Sequence, residues 1–86
     1  MKNTVCVLMG RTHMFEELEL LTATTLDNIG IIYGYCLEKC QQAEDRNETI
    51  DLKLYTYENG ELVEISFWNN DEEHFDKVLD LKAIGE

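Results

Sequence analysis

The residues of this sequence best suited to chemistry are three cysteines and two histidines. Cys36 and Cys40 stand four apart, so on a helix their thiols share one face, a turn apart. A structural zinc would need two more N or S donors, and only Cys6, His13 and His74 could supply them. None stands at a zinc-type spacing, and two thiols on an apolar helical stripe are more often core residues. A thiol nucleophile needs a positioned base and an electropositive setting. The many acids of this chain act the other way, because negative neighbours raise a cysteine pKa. His74 follows Asp71, Glu72 and Glu73 and reads as part of a solvated face. An odd number of cysteines without a framework spacing points to free thiols in a reducing cytoplasm.

Carboxylate pairs can do acid–base work. With 18 acidic residues among 86, adjacent pairs arise by chance, and no apolar pocket singles one out. Asp71-Glu72-Glu73 lacks the loop pattern of a calcium site and is better explained as helix N-terminal acids. Gly30 and Gly34 match no phosphate-loop pattern. Each costs about 1 kcal/mol in a helix relative to alanine. Close packing against a sheet is the favoured compensation, and a helix–helix dimer contact the alternative. The expectation is a chain that is not an enzyme and holds no metal and no cofactor.

The charge balance narrows the partners. Asp and Glu outnumber Lys and Arg by 18 to 7, a net charge of -11. Phosphates would be repelled, so direct binding of DNA or RNA is disfavoured. A basic protein surface is favoured, such as that of a nucleic-acid-binding protein. The plainer reading is that acidity keeps a small protein soluble. No apolar run approaches the roughly 20 residues of a membrane span. The run that follows Met1-Lys2-Asn3-Thr4 ends at Gly10-Arg11, too short for a signal peptide. The length, the 44% hydrophobic content and the lack of proline fit one domain over residues 1–86.

These residues must be positioned by a small set of elements. Thr4 to Met9 reads as a strand with Val5, Val7 and Met9 on one face and Cys6 and Leu8 on the other. Apolar residues on both faces predict a central, covered position, and Gly10 ends the strand. Residues 15–22 fit a helix or a strand. The run Thr22-Ala23-Thr24-Thr25 tips the reading towards a strand antiparallel to the first, with Gly10 to Met14 as the turn. Leu26 to Ala43 reads as a helix capped by Thr25, with Asp27 in its first turn. Its stripe is Leu26, Ile29, Tyr33, Cys36, Leu37 and Cys40, and a polar loop of Glu44 to Glu48 follows.

The firmest element is a hairpin from Thr49 to Trp68. Asn59-Gly60 is the preferred pair for a type I′ turn, in which both central residues take positive φ. A straight ladder from that turn sets Glu58 opposite Glu61, Tyr57 opposite Leu62, Thr56 opposite Val63, Leu54 opposite Ile65 and Leu52 opposite Phe67. One face then holds Ile50, Leu52, Leu54, Thr56, Val63, Ile65 and Phe67. The other holds Asp51, Lys53, Tyr55, Tyr57, Leu62, Glu64, Ser66 and Trp68. Asn70 caps a last helix, Glu73 completes a capping box, Phe75, Val78 and Leu79 form its stripe, and Gly85 stops it.

The expected fold is α+β: a small antiparallel sheet of three to four strands, one main packed helix and a short C-terminal helix, in the order β-(β)-α-β-β-α. The expected function is that of a small acidic protein occupying a basic surface of a protein partner. The candidate partner-binding residues are Tyr55, Tyr57, Glu58, Glu61, Leu62, Glu64 and Trp68. Aromatic anchors beside carboxylates suit an arginine-rich target. Proteins of this size and charge include phage inhibitors of nucleases, among them anti-CRISPR and anti-restriction proteins. The analogy is one of size and charge, and no family motif is present. A structural or regulatory homodimer and a small thiol-dependent enzyme or sensor are the alternatives.

Overall fold

The computed structural model describes residues 4–12 and 17–81. Its five strands are β1 (Thr4–Arg11), β2 (Glu19–Thr25), β3 (Asp51–Glu58), β4 (Glu61–Asn69) and β5 (His74–Asp80). A 3-10 turn (Leu26–Asn28) leads into one helix, α1 (Ile29–Asp45). The strands form a single antiparallel sheet in the order β2-β1-β3-β4-β5. The class is α+β, as read from the sequence, with one strand more than expected.

The extra strand is the segment expected to be the C-terminal helix. Phe75, Val78 and Leu79 have helical spacing, but His74–Asp80 pairs with β4 as an edge strand. The cap expected at Asn70 lies one residue earlier and closes a turn instead. The Asn69 side-chain oxygen accepts the backbone N–H groups of Asp71 and Glu72, and Glu73 takes φ 57. Turning the chain back this way lets six residues of β5 pair with β4. Gly85, the expected stop, lies outside the described residues.

β2 is the strand expected within 15–22, shifted towards the threonines, and it runs antiparallel to β1. Met14 and the other residues between 12 and 17, including His13, lie outside the described residues. Gly10 does not end β1. It sits inside the strand on the core side, where a Cβ would lie 2.6 Å from Leu21 Cδ1 and 3.0 Å from Leu52 Cδ2. It is there because the side chains of two neighbouring strands occupy its space.

The helix begins three residues later than expected and ends two residues later. Thr25 is extended at the start of the 3-10 turn, makes no side-chain cap bond, and accepts a hydrogen bond from Asn28 Nδ2 (3.3 Å). At the other end Asn47 takes φ 58, Asn47 N–H donates to Glu44 O (3.0 Å) and Glu48 N–H to Ala43 O (2.8 Å). This pattern is a Schellman ending, with asparagine in the left-handed position usually held by glycine.

The core lies between the helix and one face of the sheet. Ile32, Cys36 and Cys40 of α1 pack on Cys6 and Leu8 of β1 and Leu52 and Leu54 of β3. The expected stripe was drawn too far round the helix. Leu26, Tyr33 and Leu37 are exposed, and Ile32 and Ala43 are buried in their place. Gly30 and Gly34 do not pack on the sheet: they are exposed, and a Cβ at either meets nothing within 4 Å. Gly30→Ala and Gly34→Ala should therefore each raise stability by about 0.4–1 kcal/mol, read as a higher urea midpoint at unchanged slope. No described helix is long and apolar enough to cross a membrane.

Candidate functional site

The turn of the hairpin is as expected. Asn59 and Gly60 have φ 51 and 85, Glu58 pairs with Glu61, and Tyr57 with Leu62. Beyond that pair the straight ladder fails. A β-bulge intervenes, so that Thr56 pairs with Glu64, Tyr55 with Ile65, Leu54 with Ser66 and Lys53 with Phe67. Val63 is the extra residue. Because side chains alternate across a strand, one added residue exchanges the faces of everything after it. Ile65 and Phe67, expected in the core, stand on the far face with Tyr55 and Tyr57. Glu64, Ser66 and Trp68, expected there, stand on the helix face with Leu54 and Thr56.

The candidate residues are thereby divided into two groups. Tyr55, Tyr57 and Leu62 share the face of the sheet that carries no helix. Glu64 and Trp68 do not join them. Trp68 instead sits in an aromatic trio with Tyr33 of α1 and Phe75 of β5, with ring centroids 5.0 to 5.8 Å apart. Glu58, Glu61 and Glu64 all fall on the helix side, towards the tip of the hairpin.

There the helix leaves part of the sheet uncovered. A cleft of about 510 Å3 opens between its N-terminal half and strands β1 and β3 to β5. Leu26, Ile29 and Tyr33 form one wall, and Phe75 lies across from them. The floor is polar: Thr56 and Ser66 are buried hydroxyls, and Glu58, Glu64 and Asp80 bring carboxylates. Lys77 is the one cation of the lining, with Nζ 3.2 Å from Glu64 and 3.3 Å from Asp80. The hydrogen bonds it donates to these two carboxylates, Glu64 first, raise its pKa above the ordinary lysine value. Three carboxylates against one ammonium leave the cleft anionic.

At the other end of the sheet the balance reverses. A smaller pocket of about 210 Å3 gathers Arg11, Lys39 and Arg46 against Glu19 and Glu48. Arg11, Lys39 and Arg46 thus stand apart from the acidic cleft, which holds Lys77.

Of the three thiols, Cys36 and Cys40 line neither region, and Cys6 touches the floor of the acidic cleft. All three are buried in the core. Burial raises each pKa, and Cys36, with Cys40 a turn away, is pushed up to about 12. At neutral pH these groups are neutral packing residues and not thiolate nucleophiles.

Sequence reading missed one cluster. Glu72, His74 and Asp76 offer ligand atoms within 4.8 Å of one another. The i, i+2, i+4 spacing that places His74 and Asp76 on one strand face was hidden by reading the segment as helix. The imidazole is engaged on both sides, by Glu72 at Nε2 and by Asp76 at Nδ1 (3.3 Å). The Glu72 hydrogen bond, then that of the Phe75 carbonyl, raises its pKa above 6.5. A raised pKa stabilises the fold below the unfolded value near 6.5, and this contribution is lost as pH rises through the folded value. Proton NMR should therefore show His74 titrating above 6.5, with Glu72→Gln moving the midpoint down. A midpoint at or below 6.5 in the native protein would contradict this geometry.

Compared with known protein families, curated proteins and solved structures, the chain matches none.

Proposed function

We propose that this is a small acidic, non-enzymatic binding protein that takes a cationic segment of a protein partner into the cleft beside its hairpin. The observation that carries this reading is the lining of that cleft, which the carboxylates of Glu58, Glu64 and Asp80 share with the rings of Tyr33 and Phe75. An arginine side chain suits such a lining, since its planar guanidinium pairs with carboxylates and stacks on aromatic rings. The net charge of -11 would speed the encounter by attracting a basic surface from a distance. In its most concrete form the partner is a nucleic-acid-binding protein or nuclease. The carboxylates would then occupy positions otherwise taken by phosphates, as in the phage inhibitors of similar size and charge.

A labelled nona-arginine peptide is a direct probe. Its affinity should fall steeply with salt, because paired charges are screened over a Debye length of about 10 Å at 0.1 M. Glu58→Gln and Glu64→Gln should each weaken it several-fold. Glu38→Gln makes the same change in net charge on the exposed side of the helix and should have little effect. If Glu38→Gln weakens binding as much as the cleft variants, bulk charge is responsible and the cleft reading fails.

A further inference from the structure

We propose that the helix-free face of the sheet is the contact surface of a homodimer, in which two copies pack sheet against sheet. An antiparallel sheet with one solvated face normally turns polar residues outward. Here most outward positions of the three central strands are apolar or aromatic: Val5, Val7 and Met9 on β1, Tyr55 and Tyr57 on β3, and Leu62, Ile65 and Phe67 on β4, with Arg11, Asp51, Lys53 and Asn69 at one end. The edge strands extend the same surface: Leu20 of β2 pairs with Met9, and Leu79 of β5 pairs with Ile65. Leu20 is 64% exposed and Phe67 41%. Among the described residues no element lies over them, because α1 and its buried side chains belong to the opposite face.

Two observations select a second copy as the occupant. The first is charge. The chain carries -11, yet this face is balanced. Arg11 pairs with Asp51 at 3.1 Å, Lys53 lies over the Phe67 ring at 4.9 Å, and Asp76 stands opposite Phe67. Arg11 and Lys53 meet Asp51 and Asp76 around an apolar centre, and at its edge His74, on the face of Asp76, pairs with Asp76 and with Glu72 of the turn. A basic partner would gain little from such a face, whereas an identical neutral face matches it in both polarity and charge. Among the described residues, the other carboxylates lie on the helix, on the helix side of the sheet and in the turns and loops, so two copies can meet here with those acids outward.

The second is area. Five strands about 4.8 Å apart, each presenting about seven residues at about 3.3 Å, make a face of roughly 550 Å2. Two such faces bury roughly 1,100 Å2 before side-chain relief is counted, which clears the roughly 1,000 Å2 that separates specific interfaces from casual contacts. β3 is the middle strand, so Tyr55 sits at the centre of the patch, where aromatic side chains most often dominate binding. Aligned packing of two sheets in this way is the geometry of a β-sandwich, with side chains of both faces interdigitating.

Sedimentation equilibrium of the full chain tests this. The chain mass is 10.0 kDa, and twice that mass is expected at tens of micromolar. Raising salt from 50 to 500 mM should tighten the dimer, because it screens repulsion between two acidic copies while leaving the apolar contact intact. The cationic-peptide affinity proposed above should move in the opposite direction, so the two readings fail separately. Tyr55→Lys and Phe67→Lys should each weaken the dimer by about 30-fold or more. Far-UV circular dichroism should show the same fold for both variants. A native mass of 10 kDa at 100 µM and 500 mM salt would overturn the proposal. So would a dimer unchanged by both substitutions in folded protein, which would place the contact elsewhere.

Discussion

Ile32→Ala is expected to destabilise the protein by about 2–5 kcal/mol, whereas Ile31→Ala, one residue earlier, should change it by no more than about 0.5 kcal/mol. The two substitutions remove the same atoms. Ile32 is fully buried among Cys36, Leu8 and Leu54, and its removal leaves a cavity between helix and sheet. Ile31 is 63% exposed, so its truncation removes little packing and puts a better helix former in place. A domain of this size has a total stability of about 5–15 kcal/mol, so the Ile32 variant could lose half of it. Since each kcal/mol shifts the melting point by about 4–8 °C, a fall of at least about 10 °C should be seen. Equal shifts for the two variants would mean that the helix is rotated from the orientation described. Both should be measured at one low protein concentration, so that any dimer contributes equally.

That pair of isoleucines also shows where sequence reading stopped. The helical period was legible, and so was the existence of the helix. Its phase was not, because Leu26, Tyr33 and Leu37 are as apolar as Ile29, Ile32 and Ala43. Both stripes fit the period. The choice between them was made by the sheet, which accepts the side carrying Cys36 and Cys40. The first strand had the same ambiguity. Its two apolar faces imply cover on both sides, and among the described residues of one copy only the Cys6/Leu8 face is covered. The missing cover is what the dimer would supply. The C-terminal strand was hidden for a different reason. Phe75, Val78 and Leu79 imitate a helical stripe because a bulge beside Val78 adds one residue between Lys77 and Leu79 in the pairing with β4.

The acidic side of the candidate site was legible as a group, and its aromatic side was not. Glu58, Glu61 and Glu64 were read together and do lie on one side of the sheet, because the bulge moves Glu64 across to join the other two. The aromatic residues beside them are Tyr33 and Phe75, which come from other elements and are brought in only by tertiary packing. Tyr55 and Tyr57 kept their face and changed their company, from Trp68 to Ile65 and Phe67.

Everything on β4 therefore turns on Val63, and three variants test it together. Trp68→Ala should cost about 3 kcal/mol, because it removes the largest ring of the trio with Tyr33 and Phe75. Phe67→Ala should cost less than about 1 kcal/mol in the monomer, since that ring lies on the uncovered face. A straight ladder from the Asn59-Gly60 turn predicts the reverse order, with Phe67 in the core and Trp68 outside. Deletion of Val63 separates the two registers more sharply. In the bulged pairing, removing Val63 leaves Leu62 opposite Tyr57 and Glu64 opposite Thr56, so every later side chain keeps its face. The variant should fold with Trp68 fluorescence close to that of the native protein. In a straight pairing the same deletion would turn Ile65 and Phe67 to water and press Glu64 into the core, and the domain would not survive it. A folded deletion variant with an unshifted Trp68 emission is the expected result, and an unfolded one would mean that β4 is paired without its bulge.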